Sequence, residues 1–173
     1  PALLRCRPLA ASAERKILSA AAASSAVTEF GSSTWAPGIR RAEAFVGRET
    51  PLAAFDASLR SRGAPRAHFV HGVGGIGKTA LLEAMARCAL RSGESAAYVD
   101  ARDVDCTVQA VTAAIGEASA RAGGLDGVTV LLIDGYELLQ PLDSWFRREL
   151  LPSRPSAGLT VLASRFEPAR EWT

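Results

Sequence analysis

Apolar and polar residues follow two periods along this chain, and segments of one period alternate with segments of the other. Segments of strand length that are rich in apolar residues lie at 66–71, 96–100, 128–133 and 159–163. Between them apolar residues recur every three or four positions, which predicts helices over 51–59, 78–91, 107–121 and 143–150. Strands that alternate with helices form a parallel sheet covered on both sides, so the pattern predicts an α/β fold.

The run at 128–133 is almost purely aliphatic and rich in β-branched residues. That composition is typical of a strand buried on both faces. In the last predicted helix, Asp143 is a suitable N-cap and Pro152 is expected to stop the helix.

A glycine-rich sequence separates the first predicted strand from the helix that follows it. Gly72, Gly77, Lys78 and Thr79 match the pattern G-x-x-x-x-G-K-[S/T]. Backbone N–H groups converge on a phosphate only where side chains do not intervene, and glycine permits the positive φ angles of such a loop. The strand, loop and helix therefore predict a site for ATP or ADP. Its expected nucleotide-binding residues are Gly72, Val73, Gly74, Gly75, Ile76, Gly77, Lys78, Thr79 and Ala80.

The polar residues around this loop have separate expected roles. Lys78 is expected to reach the β- and γ-phosphates, and the Thr79 hydroxyl is expected to bind Mg²⁺. Asp134 ends the aliphatic strand, which places it beside the loop in a parallel sheet, so it is expected to complete the Mg²⁺ site. Glu137 follows three residues later, either as the group that polarises the attacking water or as a solvated glutamate; the sequence leaves both open.

Composition adds mainly exclusions. The 173 residues are 48% hydrophobic and 22% charged, which is typical of a globular domain. The formal net charge of +2 is too small to indicate binding to nucleic acid, and no apolar run is long enough to span a membrane. The three cysteines are scattered without metal-ligand or redox spacing, which favours free thiols in a reducing compartment, so the expected location is cytoplasmic.

Further motifs resemble those of the STAND and AAA-type P-loop ATPases. Phe-Val-Gly-Arg-Glu at 45–49 precedes the loop, Leu-Leu-Ile-Asp ends at Asp134 with Glu137 three residues on, and Ser-Arg at 164–165 follows a strand. The chain from about 45 to 172 is similar to the nucleotide-binding domain of bacterial ATP-binding regulators. This resemblance implies a P-loop NTPase with a three-layer parallel sheet, a role as a signal-transducing nucleotide switch, and ATP or ADP with Mg²⁺ as cofactors.

The resemblance also implies roles for individual residues. Val46 and Arg48 would lie near the adenine, and Arg165 would occupy the sensor position beside the γ-phosphate; the alternative for Arg165 is a surface arginine. The implied catalytic set is Lys78, Asp134, Glu137 and Arg165. The sequence departs from many relatives at Gly135, where they carry a second acidic residue.

Composition separates two parts of the chain, and the resemblance implies that the whole module is longer. Residues 1–41, rich in Ala and Ser, are expected to be a disordered extension, with a transit peptide as the alternative, and residues 42–173 to form a partial P-loop ATPase domain. Such domains continue with a fifth core strand, a helical lid, and effector and sensor domains. The chain is therefore expected to be truncated, with one sheet edge open and ATP hydrolysis confined to the full-length module. Self-association through the ATPase module is a further expectation.

Three other functions stay open at this point. They are a P-loop kinase or other phosphotransferase, an initiator-type AAA ATPase acting on DNA, and a non-catalytic remnant that no longer binds nucleotide well. A kinase would need a substrate lid, which is not evident in the sequence. The DNA-binding module of an initiator-type ATPase would lie beyond residue 173.

Overall fold

The computed structural model describes residues 5–9, 49–61, 67–123, 128–155 and 158–172. The described residues contain the strands β1 (Arg5–Leu9), β2 (Ala67–His71), β3 (Ala96–Asp100), β4 (Val130–Asp134) and β5 (Leu159–Ser164). They form one sheet in the order β1-β2-β5-β4-β3. The pairs formed among β2, β5, β4 and β3 are parallel, whereas β1 runs antiparallel to β2. The predicted parallel sheet is confirmed.

Helices cover both faces of this sheet. The helices α1 (Glu49–Arg60), α2 (Lys78–Arg91) and α3 (Val108–Arg121) begin and end within two residues of their predicted bounds. Phe55 of α1 and Met85 of α2 belong to one core cluster, and Val111 of α3 belongs to a second. The predicted three-layer α/β fold is therefore confirmed.

Strand β4 shows why the two clusters lie on opposite faces. Val130 and Leu132 pack in the cluster with α1 and α2, whereas Leu131 and Ile133 pack in the cluster with α3. Successive side chains of a strand point to opposite faces, so an aliphatic residue at every position serves both layers. All five residues of β4 are buried, as the sequence predicted.

After β4 the chain is helical, but it does not form one regular α-helix. A 3₁₀ segment (Tyr136–Leu142) is followed by the α-helical turn α4 (Asp143–Trp145), a π-helical segment (Phe146–Leu150) and the turn α5 (Leu151–Ser153). The prediction of a helix capped by Asp143 and stopped by Pro152 is wrong. Helical conformation begins earlier, at Tyr136, and continues past Pro152 to Ser153. The wider π-helical segment lies just before Pro152, where the proline ring would otherwise clash with the carbonyl four residues before it.

Strand β1 changes one edge of the sheet. No pattern in the sequence indicated a strand at 5–9, and the expectation of one open sheet edge did not specify which edge. In the structure Arg5–Leu9 pairs with Ala67–His71, so a strand covers the β2 edge of the sheet. Strand pairing uses backbone groups, and a segment with no alternating pattern can therefore add to an edge. The rest of the 1–41 extension lies outside the described residues, and so do residues 45–48 of the Phe-Val-Gly-Arg-Glu motif.

The described helices share one further property. None of them is long and apolar enough to cross a membrane.

Candidate functional site

The carboxyl ends of β2, β5, β4 and β3 lie at one edge of the sheet because these strands are parallel. The glycine loop at 72–77 leaves β2 at this edge and enters α2. The Gly72 N–H donates a hydrogen bond of 3.3 Å to the Ser164 carbonyl, which fastens the loop to the end of β5. Clefts at this edge are where α/β sheets bind ligands.

Two of the loop glycines adopt backbone angles that favour glycine. Gly75 has φ 76° and Gly77 has φ 90°, both in the left-handed region. Gly77 is also the N-cap of α2, and no described side chain caps that terminus. No capping side chain therefore accepts hydrogen bonds from the first-turn N–H groups of α2. A helix N-terminus of this kind can bind an anion.

The Lys78 ammonium lies against the loop that it follows. Its Nζ donates hydrogen bonds to the carbonyls of Gly72 at 2.7 Å and Val73 at 3.1 Å. The residue is only 9% exposed, so the charge is held at the loop and not in bulk solvent. These two neutral acceptors are contacts that an anionic phosphate oxygen would outcompete, because charge-assisted hydrogen bonds are the stronger kind.

Thr79 and Asp134 lie in contact although 55 positions separate them in the chain. The Thr79 hydroxyl donates to Asp134 Oδ2 at 2.5 Å, and the Tyr98 hydroxyl donates to the same oxygen at 3.1 Å. Burial, followed by the charge of Asp134, raises the pKa of Tyr98, which keeps this hydroxyl a donor. A hydroxyl beside a carboxylate is the oxygen donor set that Mg²⁺ prefers, so these two residues fit the predicted metal.

Glu137 and Arg165 form an ion pair at the mouth of the site. Arg165 Nε lies 3.1 Å from Glu137 Oε1, and the Arg165 backbone N–H donates to Glu137 Oε2 at 3.1 Å. The Glu137 side chain is 13% exposed and the Arg165 side chain is 66% exposed. Glu137 is therefore held by a cation and is not a solvated glutamate.

The departure at Gly135 has a backbone reason. Gly135 has φ 72°, and its N–H donates to Asp134 Oδ1 at 3.0 Å. An acidic residue at this position would be strained in the left-handed region. The turn at Gly135 starts the 3₁₀ segment, which returns Glu137 to the site.

These residues surround a pocket of about 370 Å³. Its lining includes Gly74, Gly75, Gly77, Lys78, Thr79, Arg102, Asp134, Glu137 and Arg165. Of the other predicted loop residues, Val73 is 57% exposed, and it lies outside this lining together with Gly72, Ile76 and Ala80. Val46 and Arg48, predicted near the adenine, lie outside the described residues.

The sequence analysis missed Arg102, and it also missed Leu138 and Phe166, which line the pocket as well. Arg102 belongs to a 3₁₀ turn (Ala101–Asp103) that directly follows β3. A signal was available, because β3 was predicted and its carboxyl end had to reach the same edge as Asp134. An aspartate and an arginine two residues apart at that end were candidates for the pocket.

A glycine loop between strand and helix, with an aspartate at the end of a nearby strand, defines the P-loop class of nucleotide-binding proteins. The model of the AAA ATPase domain family matches residues 44–157, and the chain belongs to this family. Membership implies nucleotide binding, and ATP with Mg²⁺ is typical of the family. The matched range contains the loop, Asp134 and Glu137 but ends before Arg165. No curated protein and no solved structure matches the chain significantly.

Proposed function

We propose that this chain binds ATP–Mg²⁺ in the pocket at the carboxyl edge of the sheet and serves as the nucleotide switch of a regulatory protein. The observation that carries the proposal is the convergence of Lys78, Thr79 and Asp134 in one pocket. A cation, a hydroxyl and a carboxylate are the three side-chain groups that a triphosphate and its metal need. The scattered cysteines support a cytoplasmic setting, with Cys88 and Cys106 free among the described residues.

Binding would use groups that now have protein partners. Lys78 would exchange the carbonyls of Gly72 and Val73 for phosphate oxygens, and the N-terminus of α2 would face the same phosphates. Thr79 and Asp134 would hold Mg²⁺ in place of their mutual hydrogen bond. The metal neutralises charge that develops on the phosphate oxygens.

Hydrolysis would use Glu137 and Arg165, which are paired in this structure. Glu137 would orient the attacking water once its carboxylate is released, and Arg165 would turn to the γ-phosphate. Arg165 would exchange Glu137 for the γ-phosphate, so the ATP complex would lack the ion pair that this structure contains. A difference of this kind is what a nucleotide switch requires, because a ligand shifts an equilibrium only through differential contacts.

The proposal is tested by titrating ATP into the wild type and Lys78→Ala in the presence of Mg²⁺, followed by calorimetry. A hydrogen bond to a charged group contributes about 1.5–3 kcal/mol, so the variant should lose about tenfold or more in affinity. Arg87→Ala serves as the matched control. It removes a cation from the exposed side of the same helix, where Arg87 lies 3.9 Å from Glu83, and it should bind ATP as the wild type does.

Two outcomes would contradict the proposal. If the wild type does not bind ATP, the chain is the non-catalytic remnant considered above. If Lys78→Ala binds as tightly as the wild type, the nucleotide does not occupy the glycine loop. Transfer of the γ-phosphate to a small acceptor in preference to water would favour the kinase alternative over the switch.

A further inference from the structure

Arg102 brings a third cation to the pocket, and no motif accounts for it. Its side chain lines the pocket with Lys78, Thr79 and Asp134, and it is 61% exposed. Its Nη2 lies 4.0 Å from Asp134 Oδ2. The cation therefore stands beside the carboxylate that is proposed to hold the metal.

Asp100 fixes the position of this guanidinium. Arg102 Nε donates to Asp100 Oδ1 at 2.8 Å and lies 3.1 Å from Oδ2, and Nη2 donates to Oδ2 at 2.5 Å. The Arg102 backbone N–H also donates to Asp100 Oδ1 at 3.0 Å. A side chain held at both its backbone and its guanidinium loses little freedom when it binds a ligand. The Nη1 group makes no hydrogen bond to any described residue.

The sheet order decides which phosphate Arg102 would meet. The glycine loop follows β2, and Arg102 follows β3, which lies on the far side of β5 and β4 from it. Neighbouring strands are about 4.7–4.9 Å apart, so the two groups approach the pocket from opposite sides. Asp134 lies between them at the end of β4. In the proposed ATP complex the loop would surround the inner phosphates and the metal would bridge the β- and γ-phosphates, so a cation beyond the metal residue would face the γ-phosphate.

We propose that Arg102, positioned by Asp100, binds the γ-phosphate of ATP and makes this pocket selective for ATP over ADP. The inference rests on the proposed function and adds a specificity-determining residue to it. Arginine suits the task because its planar fork matches phosphate oxygens and its charge is permanent.

A competing explanation is that Arg102 only neutralises two neighbouring carboxylates. Asp100 and Asp134 are register partners in the β3–β4 ladder, and their like charges lie side by side. In that case Arg102 would support the fold of the strand ends and both nucleotides would bind alike. The ratio of ATP to ADP affinity separates the two explanations.

The experiment measures ATP and ADP binding with Mg²⁺ by calorimetry for the wild type, Arg102→Ala, Arg102→Lys and Asp100→Asn. We expect Arg102→Ala to lose about tenfold in ATP affinity and less than twofold in ADP affinity, since only ATP carries the γ-phosphate. Arg102→Lys should recover part of the loss. Asp100→Asn should fall between the wild type and Arg102→Ala because the guanidinium is present but less constrained.

Arg121→Ala is the matched control. It removes an exposed arginine at the end of α3, whose Nε donates to the Glu117 carbonyl at 3.2 Å, and its ATP-to-ADP ratio should equal that of the wild type. Unfolding midpoints of all variants report any change in the fold.

Each remaining outcome decides between the inference and the proposed function. An equal loss of both nucleotides in Arg102→Ala, or no loss, would overturn the inference. If Lys78→Ala loses both nucleotides while Arg102→Ala keeps the wild-type ratio, the proposed function stands and only the inference fails. If the wild type binds neither nucleotide, both are wrong.

Discussion

At the scale of single residues, the Asp134 carboxylate lies close to three other polar side chains of the site. It accepts hydrogen bonds from Thr79 and Tyr98 and lies near Arg102. Asp134 is 5% exposed, so its carboxylate oxygens have these hydrogen-bond partners in place of bulk water. A divalent cation bound to this carboxylate would replace its hydrogen bond from Thr79.

Asp134→Asn tests the metal assignment. The amide oxygen still accepts hydrogen bonds, but the negative charge is lost, so the variant should bind ATP without metal as the wild type does. The gain in ATP affinity on adding Mg²⁺ should fall by about tenfold or more, as expected for loss of a charged partner. The measurement is ATP titration in Mg²⁺ and in a chelator. Asp105→Asn, at an exposed aspartate outside the pocket lining, is the control.

A variant whose ATP affinity still rises with Mg²⁺ as much as that of the wild type would place the metal elsewhere. Thr79 would then contribute to the site only through its hydroxyl contact with Asp134.

At the scale of elements, Asp143 joins three segments. Its Oδ1 accepts from the Tyr136 hydroxyl at 2.7 Å and from Trp172 Nε1 at 2.5 Å, and its Oδ2 accepts from Arg147 Nε at 2.9 Å. These bonds connect the 3₁₀ segment after β4 with the 3₁₀ turn at Arg170–Trp172. Tyr136 also packs edge-to-face against Phe69 and Phe146. The segment that carries Glu137 is thereby held against the sheet.

Asp143→Ala should destabilise the fold by about 2 kcal/mol or more. Tyr136 is 2% exposed and Trp172 is 6% exposed, and the substitution leaves a buried donor of each without an acceptor. Urea unfolding measures the loss. Asp143→Asn keeps one acceptor oxygen and should lose less, and Asp103→Ala, at an exposed aspartate, should change little. Equal stability of Asp143→Ala and the wild type would show that the carboxylate does not hold these segments together.

At the scale of the whole molecule, a buried polar pair joins α1 to the sheet. His68 of β2 is 1% exposed, and its Nε2 lies 2.8 Å from the Ser58 hydroxyl of α1. Burial lowers the pKa of His68 from its usual 6.5. The folded state therefore favours the neutral imidazole, while the unfolded chain takes up a proton below about pH 6.5.

The free energy of unfolding should fall as the pH drops through 6.5, because the unfolded state then binds more protons than the folded state. The fall should end below the lowered pKa of the folded protein. Replacing His68 by Gln removes this proton and should flatten the pH dependence between pH 7.5 and 5.5. Urea unfolding of both proteins at each pH is the measurement. The difference in unfolding free energy between the two proteins at pH 7.5 gives the effect of the substitution itself. If the two unfolding free energies then change equally with pH, His68 is not the group responsible.

Features that depend on local pattern could be predicted from the amino-acid residues alone. The loop at 72–77, helix α2 and the doubly buried strand β4 could be predicted because backbone angles and side-chain period are properties of adjacent residues. The position of Asp134 beside the loop also followed, since parallel strands end at one edge.

Contacts between segments that are distant in the chain could not be predicted in this way. The pairing of Glu137 with Arg165, the bonds from Asp143 to Trp172 and the position of Arg102 depend on side-chain directions that no local period encodes. The strand β1 at the edge of β2 was likewise invisible, because edge pairing uses backbone groups that every residue carries. Local sequence therefore determined the phosphate loop and its helix, and packing of distant segments determined which charges surround them.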